Sequence, residues 1–227
     1  MPGNRGKLIV IEGLDGSGKT TQTALLLDSM RVSGIKAEQL KFPDYESKSS
    51  TLVKMYLDGE IGGIGDVNLY AASAFYAADR YISYERVWKK SYNAGTIFVA
   101  DRYTTSNIIY QMAKLQDAQW AGYIDWLYDF EYDKMRLPKP DAVVYLDMPP
   151  QLSRTLLEKR YGGDREKLDI HEKNLDYLGR CRCAALYAAK KLAWHVIVCG
   201  EETGGLWEAL PVDKIAGAIS GYVANSL

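Results

Sequence analysis

The stretch Ile11–Gln22 reads IEGLDGSGKTTQ and contains Gly13-x-x-x-x-Gly18-Lys19-Thr20. Glycines at this spacing let backbone N–H groups turn inward around phosphate oxygens, and the helix that follows adds partial positive charge at its N-terminus. Lys19 has the reach for β- and γ-phosphates, and the Thr20 hydroxyl suits Mg²⁺. The candidate triphosphate-binding residues are therefore Gly13, Asp15, Gly16, Ser17, Gly18, Lys19, Thr20 and Thr21. Further along, Asp101 closes an apolar run, a position from which a carboxylate holds Mg²⁺ or one of its waters. Arg102 beside it suits a second anionic substrate. Arg160 and Arg165 flank Tyr161-Gly162-Gly163-Asp164 in a charged, non-periodic segment. Such a set fits a small-molecule kinase, which must hold two anionic substrates, bring their phosphates together and exclude water.

These residues need elements to position them. Lys7–Glu12 is a short apolar run that enters the glycine loop and reads as a buried strand. IKAEQLKF, stopped by Pro43, reads as a second, Thr96–Asp101 as a third, AVVYLDM as a fourth and HVIVC as a fifth. A helical pattern runs from Gly18 to about Ser33 with Gly34 as its C-cap, and a short helix ends at Gly59. Asp66 is placed to cap a long helix reaching about Asn93. Further helical stretches fall around Ser106–Lys114 and Ala118–Lys134, from Pro149-Pro150 onward, from about Ile170 to Leu192, and over Val212–Ala224. Strands alternating with helices predict an α/β fold, a parallel sheet covered on both faces. Without a linker or an internal repeat, residues 1–227 read as one domain, with 160–169 as a mobile loop.

Composition narrows the class. The chain has 227 residues, 47% hydrophobic and 25% charged, with net charge -1. That balance marks neither a nucleic-acid binder nor a membrane binder. Cys181, Cys183 and Cys199 form no C-x-x-C pair, and with only two histidines neither a disulfide framework nor a zinc site is expected. Cys181 and Cys183, two apart on a helix, read as packing. No run approaches membrane-spanning length, and the N-terminus lacks a signal-peptide core. The expectation is a cytoplasmic, reduced protein. The aromatics Tyr70, Phe75, Tyr76, Tyr81, Tyr84 and Trp88 read as core and subunit interface.

The sequence resembles the thymidylate (dTMP) kinases over nearly its whole length. The resemblance rests on IEGLDGSGKTTQ, KFPDY after the second strand, FYAADR in the long helix, DRYTTSNIIY after the third strand, LPKPD before the fourth, and RYGGDREKLDIHE in the late loop. It implies the nucleoside monophosphate kinase fold with a five-stranded parallel sheet and a lid. It also implies the reaction ATP + dTMP to ADP + dTDP with Mg²⁺, and a homodimer. By the same resemblance Phe42 stacks on thymine, Arg80 donates to a base carbonyl, and Asn107, next to Ser106, bonds the base edge. Arg102 holds the acceptor phosphate, Asp15 contacts the sugar 3′-hydroxyl or the metal region, and Tyr110 crowds the 2′ position. Some members carry an arginine inside the glycine loop. Here those positions are Leu14, Asp15, Gly16 and Ser17, and the resemblance then implies the other arrangement, in which the lid supplies the cation through Arg160 or Arg165 and Arg154 packs on adenine.

One position departs from the family. Many members have Phe-Pro-Arg after the second strand, whereas this chain has Asp44, with Lys41 or Lys48 as substitutes for the missing charge. That carboxylate keeps a second reading open, a deoxynucleoside kinase in which Asp44 or Glu46 acts as base toward a sugar hydroxyl. A third reading is a non-catalytic nucleotide-binding module.

Overall fold

Apolar, β-branched and aromatic runs closed by glycine or acid form the central strands. The computed structural model describes residues 5–63, 65–160 and 175–226. β1 (Leu8–Gly13), β2 (Ala37–Lys41), β3 (Ile97–Asp101), β4 (Ala142–Asp147) and β5 (His195–Val198) pair in the order β2-β3-β1-β4-β5. Every pairing among these five is parallel.

Alternation along the strands sends side chains to two faces. Leu8, Val10, Phe98, Ala100, Val143 and Tyr145 face one core, which includes Ile108 of α5 (Thr104–Tyr110), Ile124 of α6 (Trp120–Tyr128) and Leu178 of α8 (Leu175–Leu192). Ile9, Ile11, Val99, Val144, Leu146 and Ile197 face the other, against Leu26 and Met30 of α1 (Lys19–Val32) and Ile215 and Ile219 of α9 (Val212–Ala224). Each fully buried side chain of this size stabilises the sheet by about 1.5–3 kcal/mol. The remaining helices are α2 (Thr51–Leu57), α3 (Leu69–Ser83), α4 (Lys89–Asn93) and α7 (Pro150–Arg160).

The strand order places the site. From β1 the chain passes to β2 and β3 on one side, and later to β4 on the other. A crevice forms at the carboxyl ends where the order reverses, the usual binding position in open α/β sheets. Ile11 of β1 is the direct partner of Asp101 in β3, so the glycine loop and the Asp101-Arg102 turn emerge side by side.

Several expectations need correction. Asn68, not Asp66, caps α3: its Oδ1 accepts from the N–H groups of Tyr70 and Ala71 at 2.8 and 3.4 Å. Asp66 instead accepts from Gly63 N at 2.8 Å, closing the preceding loop. The long helix is not continuous α-helix, since a π-helical turn over Tyr84–Trp88 separates α3 from α4. A π-helical stretch also follows α6, over Asp129–Lys134. The sequence reading missed an antiparallel hairpin of β6 (Gly200–Thr203) and β7 (Leu206–Ala209). Cys181 is core, but Cys183 is exposed. Arg160 ends α7, while Arg165 and the remainder of the proposed lid, 161–169, lie outside the described residues. No helix among the described residues is long and apolar enough to cross a membrane.

Candidate active site

The glycine loop turns between β1 and α1 in the way its sequence requires. Gly18 caps α1 in the left-handed region at φ 88°, which glycine adopts without strain. At Gly13 a Cβ would lie 2.5 Å from Ser17 Oγ and 3.0 Å from the Leu146 carbonyl oxygen, so no side chain fits. Lys19 is buried and donates to the Leu14 carbonyl at 2.8 Å. Thr20 Oγ1 donates to Asp101 Oδ2 at 2.7 Å, and Thr21 follows it, exposed.

Beside this loop Arg102, in the left-handed region at φ 70°, pairs with Asp15 through Nη2. Its Nη1 donates to Ser106 Oγ at 3.3 Å and to Tyr110 Oη at 3.4 Å, and lies 3.6 Å from Glu12. Tyr110 donates to the other oxygen of Asp15 at 2.7 Å. Burial opposes the charge on Arg102, but Asp15, Tyr110, Glu12 and Asp101 outweigh it and hold the guanidinium well above its ordinary value. Burial likewise lifts the Tyr110 phenol well above its usual range, so it stays a donor.

Arg102 and Asp15 line an open cavity with about 520 Å³ of empty space, part of it continuous with solvent. Phe42, Pro43, Tyr45, Leu57, Tyr76, Arg80, Tyr103, Ser106, Asn107, Tyr110 and Gln111 complete its lining. Phe42 leans on Tyr103 with ring centroids 5.7 Å apart. Arg80, fully buried on α3, donates to Glu131 through Nε and Nη2 at 2.8 and 2.5 Å.

The thymidylate kinase family model matches residues 11–206. The chain belongs to the thymidylate kinase family. It is 34% identical over 173 residues to the thymidylate kinase of Schizosaccharomyces pombe, covering 76% of this chain and 75% of that one. To the thymidylate kinase of Mycobacterium tuberculosis H37Rv it is 27% identical over 221 residues, covering 96% and 97%. A solved thymidylate kinase structure from Candida albicans shares its fold with a TM-score of 0.70 at 23% identity, over 97% of this chain and 92% of that one.

The residues singled out from the sequence gather accordingly. Thr20 of the glycine loop is hydrogen-bonded to Asp101, and Asp15, Phe42, Arg80, Arg102, Ser106, Asn107 and Tyr110 all line the cavity, whereas Lys19, Thr20 and Asp101 lie outside its lining. Arg154 stands on α7 and is not part of that lining. Tyr76, expected in core or interface, lines the cavity instead.

Four polar residues of the thymidylate kinase site escaped the sequence reading. Glu12, fully buried, accepts from Gly13 N at 3.0 Å, Thr105 Oγ1 at 2.7 Å and Ser106 Oγ at 2.8 Å. An acid inside an apolar strand was a signal that could have found it. Asp79 accepts from Asp44 N at 2.9 Å and Ser49 Oγ at 2.5 Å, tying the turn after β2 to α3. Gln111 is fully buried, and neither of its amide atoms has a hydrogen-bond partner among the described residues. Gln111 thus presents an unpaired amide on the cavity wall. Neither Gln111 nor Glu131 carries a local sequence signal.

Lys19 carries a pH dependence. Burial, and after it Arg102, bring its ammonium down from 10.5 to about 8, against the pull of Asp15, Asp101 and Glu12. Phosphate favours the charged form, so the affinity of the empty enzyme for ATP is expected to fall above pH about 8, approaching about tenfold per pH unit. Calorimetry in buffers of different ionisation enthalpy checks this as proton uptake on binding, and Lys19→Met flattens the profile. The linked stability has the opposite sign. Between pH about 8 and 10.5 the unfolded chain binds more protons at this group, so its contribution to stability rises with pH.

Proposed function

We propose that this chain transfers the γ-phosphate of ATP to dTMP, giving ADP and dTDP. The observation that carries the reading is the placement of Arg102, which pairs with Asp15 of the triphosphate loop and lines a cavity that also offers Arg80, Asn107 and Gln111. A guanidinium there suits the acceptor phosphate, and those polar groups suit a base edge. The acceptor oxygen of a monophosphate is already ionised near neutral pH. It attacks the γ-phosphorus as the β–γ bridge breaks, so the protein supplies position and charge rather than a general base. In this reading Phe42 lies against the base, Tyr110 excludes a 2′-hydroxyl, and Asp15 is held by Arg102 and Tyr110 for the sugar or metal region. Thr20 and Asp101, adjacent hard oxygen donors at 2.7 Å, would hold Mg²⁺, which takes one or two protein oxygens and keeps its remaining positions for phosphate and water. When bound, the ion neutralises charge on the β- and γ-phosphates.

We further read residues 1–227 as one kinase domain, with Arg154 on the adenine and Arg160 and Arg165 as the cations of a lid over 160–169. The protein is read as cytoplasmic and homodimeric. The exposed Tyr70, Tyr81 and Ile82 of α3 give that helix an apolar surface for a second copy. The nucleoside-kinase alternative is not favoured, because neither Asp44 nor Glu46 is among the residues that line the cavity. A coupled assay of ADP release tests these assignments. Release with dTMP, but not with thymidine or without acceptor, is the expected result, and release with thymidine alone overturns it.

A further inference from the structure

Glu131 is fully buried, lies outside the cavity lining and touches two residues that belong to it. Its carboxylate accepts two hydrogen bonds from Arg80, at 2.8 and 2.5 Å, and one from Asn107 Nδ2 at 3.1 Å. A carboxylate between donors fixes both of them. Arg80 is clamped through Nε and Nη2, which leaves Nη1, with one long contact of 3.4 Å to the Tyr103 carbonyl, as the nitrogen offered to a ligand. Asn107 Nδ2 also donates to the Ser73 carbonyl at 3.2 Å. Turning that amide over would set its oxygen against two other oxygens, so its orientation is fixed and Oδ1 is the atom left for a ligand.

The base end of the cavity therefore presents a donor from Arg80 and an acceptor from Asn107. A pyrimidine with a 4-oxo group and an N3–H matches that order. A 4-amino pyrimidine, with a donor at position 4 and a lone pair at N3, reverses both groups and leaves buried polar atoms unpaired. Gln111 cannot impose this choice. Neither end of its amide is held, so it turns to suit either base.

Resting on the acceptor-site reading above, we propose that Glu131 is a positioning residue that sets the hydrogen-bond polarity of the base site, admitting 4-oxo and rejecting 4-amino pyrimidine monophosphates. Glu131→Gln keeps the shape but introduces a donor among donors, so Arg80 or Asn107 must turn. Steady-state kinetics with dTMP, dUMP and dCMP read the outcome. The ratio of kcat/KM for dTMP over dCMP is expected to fall at least about thirtyfold. Most of the change should lie in the two KM values, with kcat for dTMP and the affinity for ATP little altered. A folded variant whose dTMP KM rises while the ratio holds shows Glu131 to be merely structural and overturns the proposal. Should the single variant fail to fold, Glu131→Asp keeps the buried charge but shortens its reach, so it cannot hold Arg80 and Asn107 together and must lower the same ratio. A retained ratio there overturns the proposal equally. Wild-type turnover of dCMP equal to that of dUMP also overturns it. If the wild type phosphorylates neither dTMP nor dUMP, the acceptor-site reading fails at its base.

Discussion

Lys19→Ala is expected to leave a folded protein that transfers phosphate at least about a thousandfold more slowly. The side chain enters the glycine loop from α1 and holds the Leu14 carbonyl at 2.8 Å until phosphate takes that place. Developing charge on the migrating phosphoryl group gains most from a fixed cation in a site with little water. Removal of that cation leaves the loop's N–H groups to bind the triphosphate without it. The fold should tolerate the change, because burial already disfavours the ammonium and depresses it to about 8. Single-turnover kinetics with a thermal melt decide the matter. Wild-type turnover in well-folded Lys19→Ala protein would sink the role given to the loop.

Arg102→Ala should lower kcat/KM for dTMP about a hundredfold or more, while the dissociation constant for ATP moves by only a few-fold. The guanidinium sits among Asp15, the buried Glu12, Ser106 and Tyr110. Its loss turns the mouth of the acceptor cavity acidic and repels a dianionic monophosphate. Its loss also leaves the buried Glu12 without its nearest cation, so a lower melting temperature accompanies the kinetic change. Arg102→Lys restores the charge but not the fork and should recover only part of the activity. Equal losses of affinity for both nucleotides would show that Arg102 serves the donor side instead.

The central sheet was legible because parallel strands buried on both faces must be apolar throughout. Leu8–Ile11 and Ala142–Leu146 announce themselves as unbroken runs. The hairpin β6–β7 was missed because its residues are largely exposed and carry no such run. Its signal was the pair Gly204-Gly205 at φ 61° and 81°, a two-residue turn that only residues tolerant of positive φ form easily. The π-helical turn at Tyr84–Trp88 was invisible because aromatic residues on both sides keep the apolar periodicity going. Lys19, Asp101 and Arg102 were singled out from motif and strand context, and the structure brings them to the same edge of the sheet. Glu131 and Gln111 were not, since a buried polar residue is defined by partners or cavities that sequence spacing does not reveal. The lid arginines remain expectations from resemblance, because Arg165 and the side chain of Arg160 lie outside the described residues.

Glu12 binds a backbone N–H of the triphosphate loop and two hydroxyls on the first turn of α5 with one carboxylate. Donor and acceptor floors are thereby bolted into a single mechanical unit, with Ile11 and Asp101 locked in strand register beneath them. On the proposed reading, the gap between the two phosphate positions is set by this framework. In the proposed reaction this block works as an anvil, a fixed surface on which the two phosphates are set.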